Sequence, residues 1–359
     1  MAVLATAGKS EGRSKPVLLQ ETSITIIVDN KAGEGLASEH GLSLWIEAGS
    51  KCILFDTGQG AAFESNVRTL GIDLSRTDLL VLSHGHYDHT GGLAHVLEKA
   101  PGVEVYCHPA VTRPRYTIRD GKATAIGMPE KAVTALGRVP DERLHWVTEP
   151  CLLVGADRLD GDVPLAGLAG PLRQVGLTSP VPRVGLTGLA LPISLSGPIP
   201  RRTSYEDTGG PFFLDPRGCE ADPLEDDLAV WIHTDQGLVV CLGCCHAGLI
   251  NTLDHIGRLA GAESGAVAAV QSGAIAAVQS EVGAGAGPAK PVRFRAIIGG
   301  LHLVNASPER LERTIGELER LSPDLLVACH CSGDAAVAAL REALGERVVT
   351  GAAGMSFRF

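Results

Sequence analysis

Apolar residues along the first hundred positions fall into short runs that are separated by polar, glycine-containing turns. Runs of this length, rich in β-branched residues, are typical of strands, whereas a spacing of three and four residues is typical of helices. The predicted strands cover residues 24–30, 42–48, 51–58, 78–84 and 103–109, and the predicted helices cover 61–72 and 91–100. The first part of the chain therefore predicts a sheet covered by helices.

A second regular stretch begins near residue 228. Its predicted strands cover 228–234, 237–243, 294–300, 324–330 and 347–351, and its predicted helices cover 246–260, 307–321 and 333–344. The short Asp235-Gln236 connection predicts a hairpin, and Ser307 followed by Pro308 is a good helix start. Two stretches of strands, each with helices, predict a layered α/β sandwich with the sheets inside.

The remaining segments suggest how the chain is divided. Residues 1–20 are predicted to be a flexible tail, and 21–359 one domain. Within it, residues 110–200 lose periodicity and predict an insertion or lid, because long unstructured loops in compact domains are usually functional. Residues 260–290 are rich in alanine and glycine and contain a tandem octad at 264–279, SGAVAAVQ then SGAIAAVQ. Two short copies cannot form a solenoid, so this segment is predicted to be a surface loop.

Charge and composition indicate which kinds of partner and which cellular compartment to expect. The net charge of −10 and the lack of a long basic run argue against a nucleic-acid partner. No apolar stretch is long enough to span a membrane and no signal-peptide core is visible, which predicts a cytoplasmic protein. The nine cysteines are then expected to stay reduced. Those beside histidines, Cys244, Cys245, Cys329 and Cys331, are expected to line a site or pack rather than to bind metal.

The segment SHGHYDHTGG at 83–92 carries the clearest chemical signal. His84 and His86 leave a strand two residues apart, so they can hold one ion together. Asp88 and His89 follow the turn and can face a second ion about 3.5–4 Å away, as in two-metal hydrolytic sites. Imidazole and carboxylate ligands favour Zn²⁺, with Fe or Mn²⁺ as alternatives.

One segment cannot complete two coordination spheres, so further ligands must come from other strand ends. His246 and His330 are the best candidates, and His302 is either a ligand or a residue that contacts substrate. Asp56 follows a strand and is expected to hydrogen-bond a metal-binding histidine. The other histidines are expected to have structural roles, with His40 the least certain because its loop faces the same strand ends.

These motifs resemble those of a known family. SHGHYDHTGGL resembles the His-x-His-x-Asp-His signature of the metallo-β-lactamase superfamily, and ILFDTG resembles the strand and turn before it. VDN, EHGLSLWIE, GCCHAGLIN, GGLHL and CHCSG further resemble the branch named after the archaeal 7,8-dihydropterin-6-methyl-4-(β-D-ribofuranosyl)aminobenzene 5′-phosphate synthase. The resemblance implies a four-layer αββα sandwich with a dinuclear site. It also implies that His84, His86, Asp88, His89 and His330 are ligands.

The resulting functional hypothesis is a metal-dependent hydrolase, with two zinc ions, that acts on an ester, lactone or phosphoester of a small molecule. Asp88 would bind metal and orient the attacking water, and His302 would donate a proton. Arg201 and Arg202 would bind an anionic or phosphorylated group. Two alternatives remain open: a transferase like the one that names the branch, and a noncatalytic metal-binding or ligand-binding module. The sequence also leaves open a homo-oligomer.

Overall fold

Two seven-stranded mixed sheets face each other and enclose the main core. The chain is described by a computed structural model over residues 21–154, 192–271 and 292–359. The first sheet has the spatial order β17 (Ser356–Arg358), β1 (Thr22–Val28), β2 (Ser43–Ala48), β3 (Lys51–Phe55), β4 (Leu79–Val81), β5 (Glu104–Cys107) and β8 (Leu144–Trp146). The second has the order β16 (Val348–Thr350), β15 (Leu326–Cys329), β14 (Phe294–Gly300), β13 (Gly237–Leu242), β12 (Ala229–Thr234), β10 (Ile193–Leu195) and β9 (Cys151–Val154).

Helices cover the outer face of each sheet. They are α1 (Ala61–Thr69), α3 (Leu93–Lys99), α4 (Glu130–Leu136), α5 (Leu249–Gln271), α6 (Pro308–Leu321) and α7 (Asp334–Leu344), whereas the single turn α2 (Tyr87–Thr90) follows β4 and belongs to neither outer cluster. Buried apolar side chains of the two sheets form the inner core. A second apolar cluster joins the first sheet to α1, α3 and α4, and a third joins the second sheet to α5, α6 and α7. The four-layer αββα class is therefore confirmed.

Several predictions from the pattern are confirmed in detail. β12 and β13 form the expected antiparallel hairpin, with Thr234 paired to Gly237. Ser307 begins α6, and its side-chain oxygen accepts a hydrogen bond from the Arg310 amide at 3.1 Å. Among the residues described, no helix is both long and apolar enough to cross a membrane.

Other predictions need correction. Within the predicted insertion, 110–154 is regular: β8 and β9 add edge strands to the two sheets, and β6 (Tyr116–Arg119) and β7 (Lys122–Ala125) form a small third sheet with β11 (Phe212–Phe213). These strands are short and half-exposed, which hides their periodicity. The rest of the predicted lid, 155–191, lies outside the described residues.

The first copy of the tandem octad is helical rather than a loop. α5 continues to Gln271, so it includes residues 264–271, as the high helix propensity of alanine favours. The second copy lies outside the described residues, as does the predicted tail at 1–20. The pattern also did not predict β17, which forms the edge of the first sheet beside β1. It is only three residues long, so it has too few positions to show a period.

Candidate metal centre

The candidate site lies where the carboxyl ends of neighbouring parallel strands from the two sheets meet. β3 and β4 are parallel in one sheet, and β13, β14 and β15 are parallel in the other. The residues that follow these strands therefore come together at one edge. Close approach requires a glycine at position 243, because a Cβ there would lie 2.5 Å from Cβ of Ser83. The candidate residues that the sequence places at strand ends therefore lie together because the two sheets contact each other at this edge.

Three imidazoles form the first donor group. Nδ1 of His86 lies 3.0 Å from Nε2 of His84 and 3.2 Å from Nε2 of His246. All three side chains are buried, and burial lowers the pKa of each well below its ordinary value. Neutral imidazoles whose ring nitrogens face one another can all act as ligands to a single cation.

The second donor group combines a carboxylate, two imidazoles and a thiol. Nε2 of His330 lies 3.3 Å from Oδ2 of Asp88 and 3.4 Å from Nε2 of His89. Sγ of Cys244 lies 3.0 Å from the same His89 nitrogen. This group adjoins the first, since one donor atom each of His84, His89 and Cys244 lie within 4.8 Å of one another.

The spacing of these donors fits metal coordination. With zinc-to-nitrogen distances of about 2.0–2.1 Å, neighbouring nitrogens of a tetrahedral site lie about 3.3 Å apart. The observed separations of 3.0, 3.2 and 3.4 Å between imidazole nitrogens are close to that value. Imidazole, carboxylate and thiolate together suit Zn²⁺ and related transition metals. The residues present therefore fit a pair of divalent ions.

Hydrogen bonds on the far side of the rings orient the donors of the second group. Nδ1 of His89 donates to Oδ2 of Asp56 at 2.6 Å, and Nδ1 of His330 donates to Oδ1 of Asn30 at 2.9 Å. The backbone amide of His330 also donates to Oδ1 of Asp29 at 2.6 Å. Both ring bonds engage Nδ1 and direct Nε2 into the site, so Nε2 is the nitrogen that would bind metal once it has lost its proton.

The first group is held in the same way. Nδ1 of His84 lies 2.9 Å from the hydroxyl of Ser83, which itself donates to Oδ2 of Asp56 at 2.6 Å. Nδ1 of His246 donates to the carbonyl of Thr208 at 2.9 Å. Asp56 thus accepts a hydrogen bond from a histidine of the second group, as the sequence predicts, and from Ser83 beside the first group, which the sequence does not predict.

The charges of the second group are set by their neighbours. Burial disfavours a charge on His89, but the Asp56 carboxylate outweighs it and raises the pKa of His89 to about 9. Burial also works against ionisation of Asp88, but hydrogen bonds from His330 and His40 hold the pKa of Asp88 well below its usual range. Asp88 is therefore an anion ready to bind a cation, and His89 must lose a proton to do so.

The other predicted residues lie around this centre. His302 is buried, and its ring centroid is 4.2 Å from that of His246. The Arg201 guanidinium donates to the carbonyls of His246 at 2.6 Å and Pro223 at 3.1 Å, so it supports the turn that carries His246. Arg202 is exposed, and its backbone amide donates to Oδ1 of Asn251. The substrate-binding roles of both arginines stay predictions.

Sequence reasoning undervalued three features. Cys244 was expected to line the site, yet its sulfur lies among the donors, whereas Cys245 bonds Thr252 and Cys329 packs in the core. Asp29 and Asn30 follow β1 directly, in the VDN segment. No chemical pattern in the sequence marks them as partners of His330. His40 Nε2 lies 3.2 Å from Oδ2 of Asp88, although the ring is half-exposed.

A buried ion-pair network supports the segment between His84 and His86. Arg115, which is 1% exposed, donates to Asp222 at 2.7 Å and to Oδ1 of Asp226 at 2.7 Å. Oδ2 of Asp226 in turn accepts the Gly85 amide at 2.8 Å. Because these residues are far apart along the chain, the sequence holds no signal for the network.

Comparisons with known proteins identify the superfamily of this chain. The model of the Metallo-beta-lactamase superfamily matches residues 39–252, and the chain belongs to that superfamily. It is 24% identical over 306 residues to the 7,8-dihydropterin-6-methyl-4-(beta-D-ribofuranosyl)-aminobenzene-5′-phosphate synthase of Methanocaldococcus jannaschii, with 82% of each chain covered. An uncharacterized protein of the same organism is 26% identical over 322 residues, which is 89% of this chain and 94% of that one.

A similar fold is found in a solved structure described as a metal-dependent hydrolase of the β-lactamase superfamily. The TM-score is 0.60 at 23% identity, with 94% of this chain and 98% of that chain covered. The resemblance inferred from the motifs is therefore confirmed at the level of superfamily and fold. The superfamily implies bound metal, and the donor groups above are the residues that could hold it.

Proposed function

We propose that this protein is a metal-dependent hydrolase that acts on an ester, lactone or phosphoester of a small molecule with two divalent ions, zinc being the preferred metal. The observation that carries the proposal is the convergence of three buried, neutral imidazoles, His84, His86 and His246, beside an anionic Asp88. A structural zinc site is closed by four protein ligands, whereas the first group offers three imidazoles and leaves one position open. Two adjoining donor groups at a sheet edge are instead typical of hydrolytic centres.

Two ions held by these groups would acidify a water molecule and neutralise the charge that develops on the substrate. The chain's own residues contribute orientation. Asp56 holds His89 and Ser83 in place, and Asn30 holds His330. Asp88 receives hydrogen bonds from two imidazoles on the same oxygen, Oδ2, which fixes the direction of its carboxylate.

A cavity beside the centre offers room for a small substrate. It measures about 520 Å³ and is lined by Arg119, Asp207, Thr208, Gly209, Gly210, Pro211 and Asn305. Thr208 accepts the hydrogen bond of His246, and Gly209 packs against the imidazole of His302. Phe212 borders the same region, with its ring centroid 5.3 Å from that of His86. An anionic substrate group would find the exposed guanidinium of Arg119 here.

The test combines metal analysis with an activity screen. Purified protein is expected to contain zinc and to hydrolyse at least one member of a panel of phosphodiesters, aryl esters and lactones. His86→Ala and His246→Ala should lose metal and activity, whereas His95→Ala, which changes a partly exposed side chain that faces Glu64 and belongs to neither donor group, should keep both. Full metal content and full activity in His86→Ala would refute the proposal. Thermal stabilisation by a panel compound without its turnover would favour a noncatalytic module instead.

A synthase is the second candidate, because a relative that covers most of the chain bears that name. The same metals could neutralise a departing pyrophosphate while a dihydropterin is joined to an aminobenzene ribotide. Incubation of the metal-loaded protein with a dihydropterin diphosphate and a ribosylaminobenzene phosphate separates the two reactions. Formation of a coupled product supports the synthase. Absence of that product, together with hydrolysis of a panel ester, supports the hydrolase.

A further inference from the structure

Two thiols and one imidazole form another cluster on the far side of Cys244. Sγ of Cys244, Sγ of Cys331 and a ring nitrogen of His302 lie within 4.8 Å of one another. All three residues are buried, with exposures of 3%, 6% and 7%. Two sulfurs and a nitrogen so close together, away from water, are the donors that thiophilic cations prefer.

The backbone is shaped to bring these donors together. The three residues follow β13, β14 and β15, which are adjacent parallel strands. Position 300 must be glycine, because a Cβ there would lie 2.8 Å from Sγ of Cys331 and 2.5 Å from the Gly243 carbonyl. His302 itself has a left-handed backbone, with φ of 46°. Such a conformation is unfavourable for a residue with a side chain, and it directs the imidazole towards the cysteines.

One buried polar atom of the cluster lacks a hydrogen-bond partner. Nδ1 of His302 is buried and has no partner within the described part of the chain. Sγ of Cys331 contacts the carbonyl of Cys244 at 3.4 Å and also lies in hydrogen-bond contact with the Cys244 thiol and the His302 ring, so the three donors face one another. Cys245, by contrast, is next in the chain to Cys244 but directs its sulfur to the Thr252 hydroxyl. A buried polar atom without a partner is costly unless a ligand satisfies it.

We propose that Cys244, His302 and Cys331 bind a third divalent cation of the Zn²⁺ type, with the sulfur of Cys244 shared between this ion and the second donor group. Both thiols would release their protons to solvent on binding. Three protein ligands leave one coordination position open, unlike a closed structural site. Ligation by His302 replaces the proton-donor role that the sequence predicts. The site does not depend on which reaction the two-ion centre performs.

The test is a metal titration of the metal-free, fully reduced protein. Zn²⁺ content after dialysis and the near-ultraviolet thiolate absorption during Co²⁺ addition are the two readouts. The wild type should bind about three equivalents per chain, and Cys331→Ser and His302→Gln about two, as expected from the loss of one three-ligand site. In Cys331→Ser the thiolate absorption should fall without vanishing, because Cys244 remains. Cys245→Ser is the matched control and should bind as many ions as the wild type.

Several results would overturn the proposal. The first is binding of only two metal equivalents by the wild-type protein. This result requires no variant, so it tests the proposal even if Cys331→Ser fails to fold. Another is a folded Cys331→Ser that binds as many ions as the wild type with the same absorption. His246→Ala distinguishes this proposal from the two-ion function. It should lose an equivalent while keeping the absorption that depends on Cys331, so the failure of either idea can be seen separately.

Discussion

The buried network of Arg115, Asp222 and Asp226 provides the sharpest test of how the fold holds the candidate centre. In Asp226→Ala, Arg115 loses one of its two carboxylate partners and the Gly85 amide loses its acceptor. Each hydrogen bond to a charged group contributes about 1.5–3 kcal/mol. Removing one partner of a buried ion pair costs about 3–5 kcal/mol. Both values lead to an expected loss of about 3–5 kcal/mol in the free energy of unfolding.

The neighbouring pair of Glu225 and Arg113 is a matched control. Its atoms approach to 2.6 Å, but the side chains are 44% and 48% exposed. An exposed pair contributes about 0–1 kcal/mol because water screens it. Glu225→Ala should therefore change the free energy of unfolding little. It nevertheless removes a carboxylate from the position next to Asp226, and it breaks an ion pair of similar length.

Urea-induced unfolding of the metal-free proteins measures the difference directly. Asp226→Ala should unfold at a clearly lower urea concentration than Glu225→Ala, with a similar slope. A second readout is zinc affinity, which should fall about tenfold or more, because Asp226 holds the backbone between two proposed ligands. Equal unfolding midpoints for the two variants would show that the buried network does not stabilise the fold as reasoned here.

Three further predictions concern the centre and its surroundings. Asp56→Asn should weaken zinc binding about 10–100-fold, measured by competition with a chelating dye, because His89 loses the acceptor that orients it; unchanged affinity would contradict this. Chelation of the metal should lower the melting temperature, since free zinc at one hundred times its dissociation constant stabilises by about 2.7 kcal/mol per site, and identical melting curves would argue against binding. Burial raises the pKa of Asp227 to about 7, above its unfolded value of about 3.9. The stability that this carboxyl contributes is thus present below pH 4 and is lost as pH rises through 7. The metal-free Asp227→Asn variant should accordingly gain stability relative to wild type between pH 4 and 7, and a difference that does not vary with pH would refute the assignment.

Much of the architecture could be predicted from local patterns. Most strands, the hairpin at Asp235 and the start of α6 at Ser307 depend on periodicity and capping, which act over a few residues. The spacing of His84, His86, Asp88 and His89 likewise indicated a metal site, because a strand end and the turn after it place those side chains together. The short strands β8, β9 and β17 escaped prediction because partners distant in sequence stabilise them.

The sequence by itself therefore determined the layers of the sandwich and the superfamily, and it predicted the segment that carries the candidate metal ligands. Only the tertiary structure decided which cysteines contact the centre, since Cys244 and Cys245 are adjacent but point to opposite sides of the chain. It also decided that Asp56 supports both donor groups and that Asp226 supports the Gly85 turn. These contacts join residues up to 155 positions apart, and their distances depend on how closely the two sheets pack. No local pattern encodes that packing.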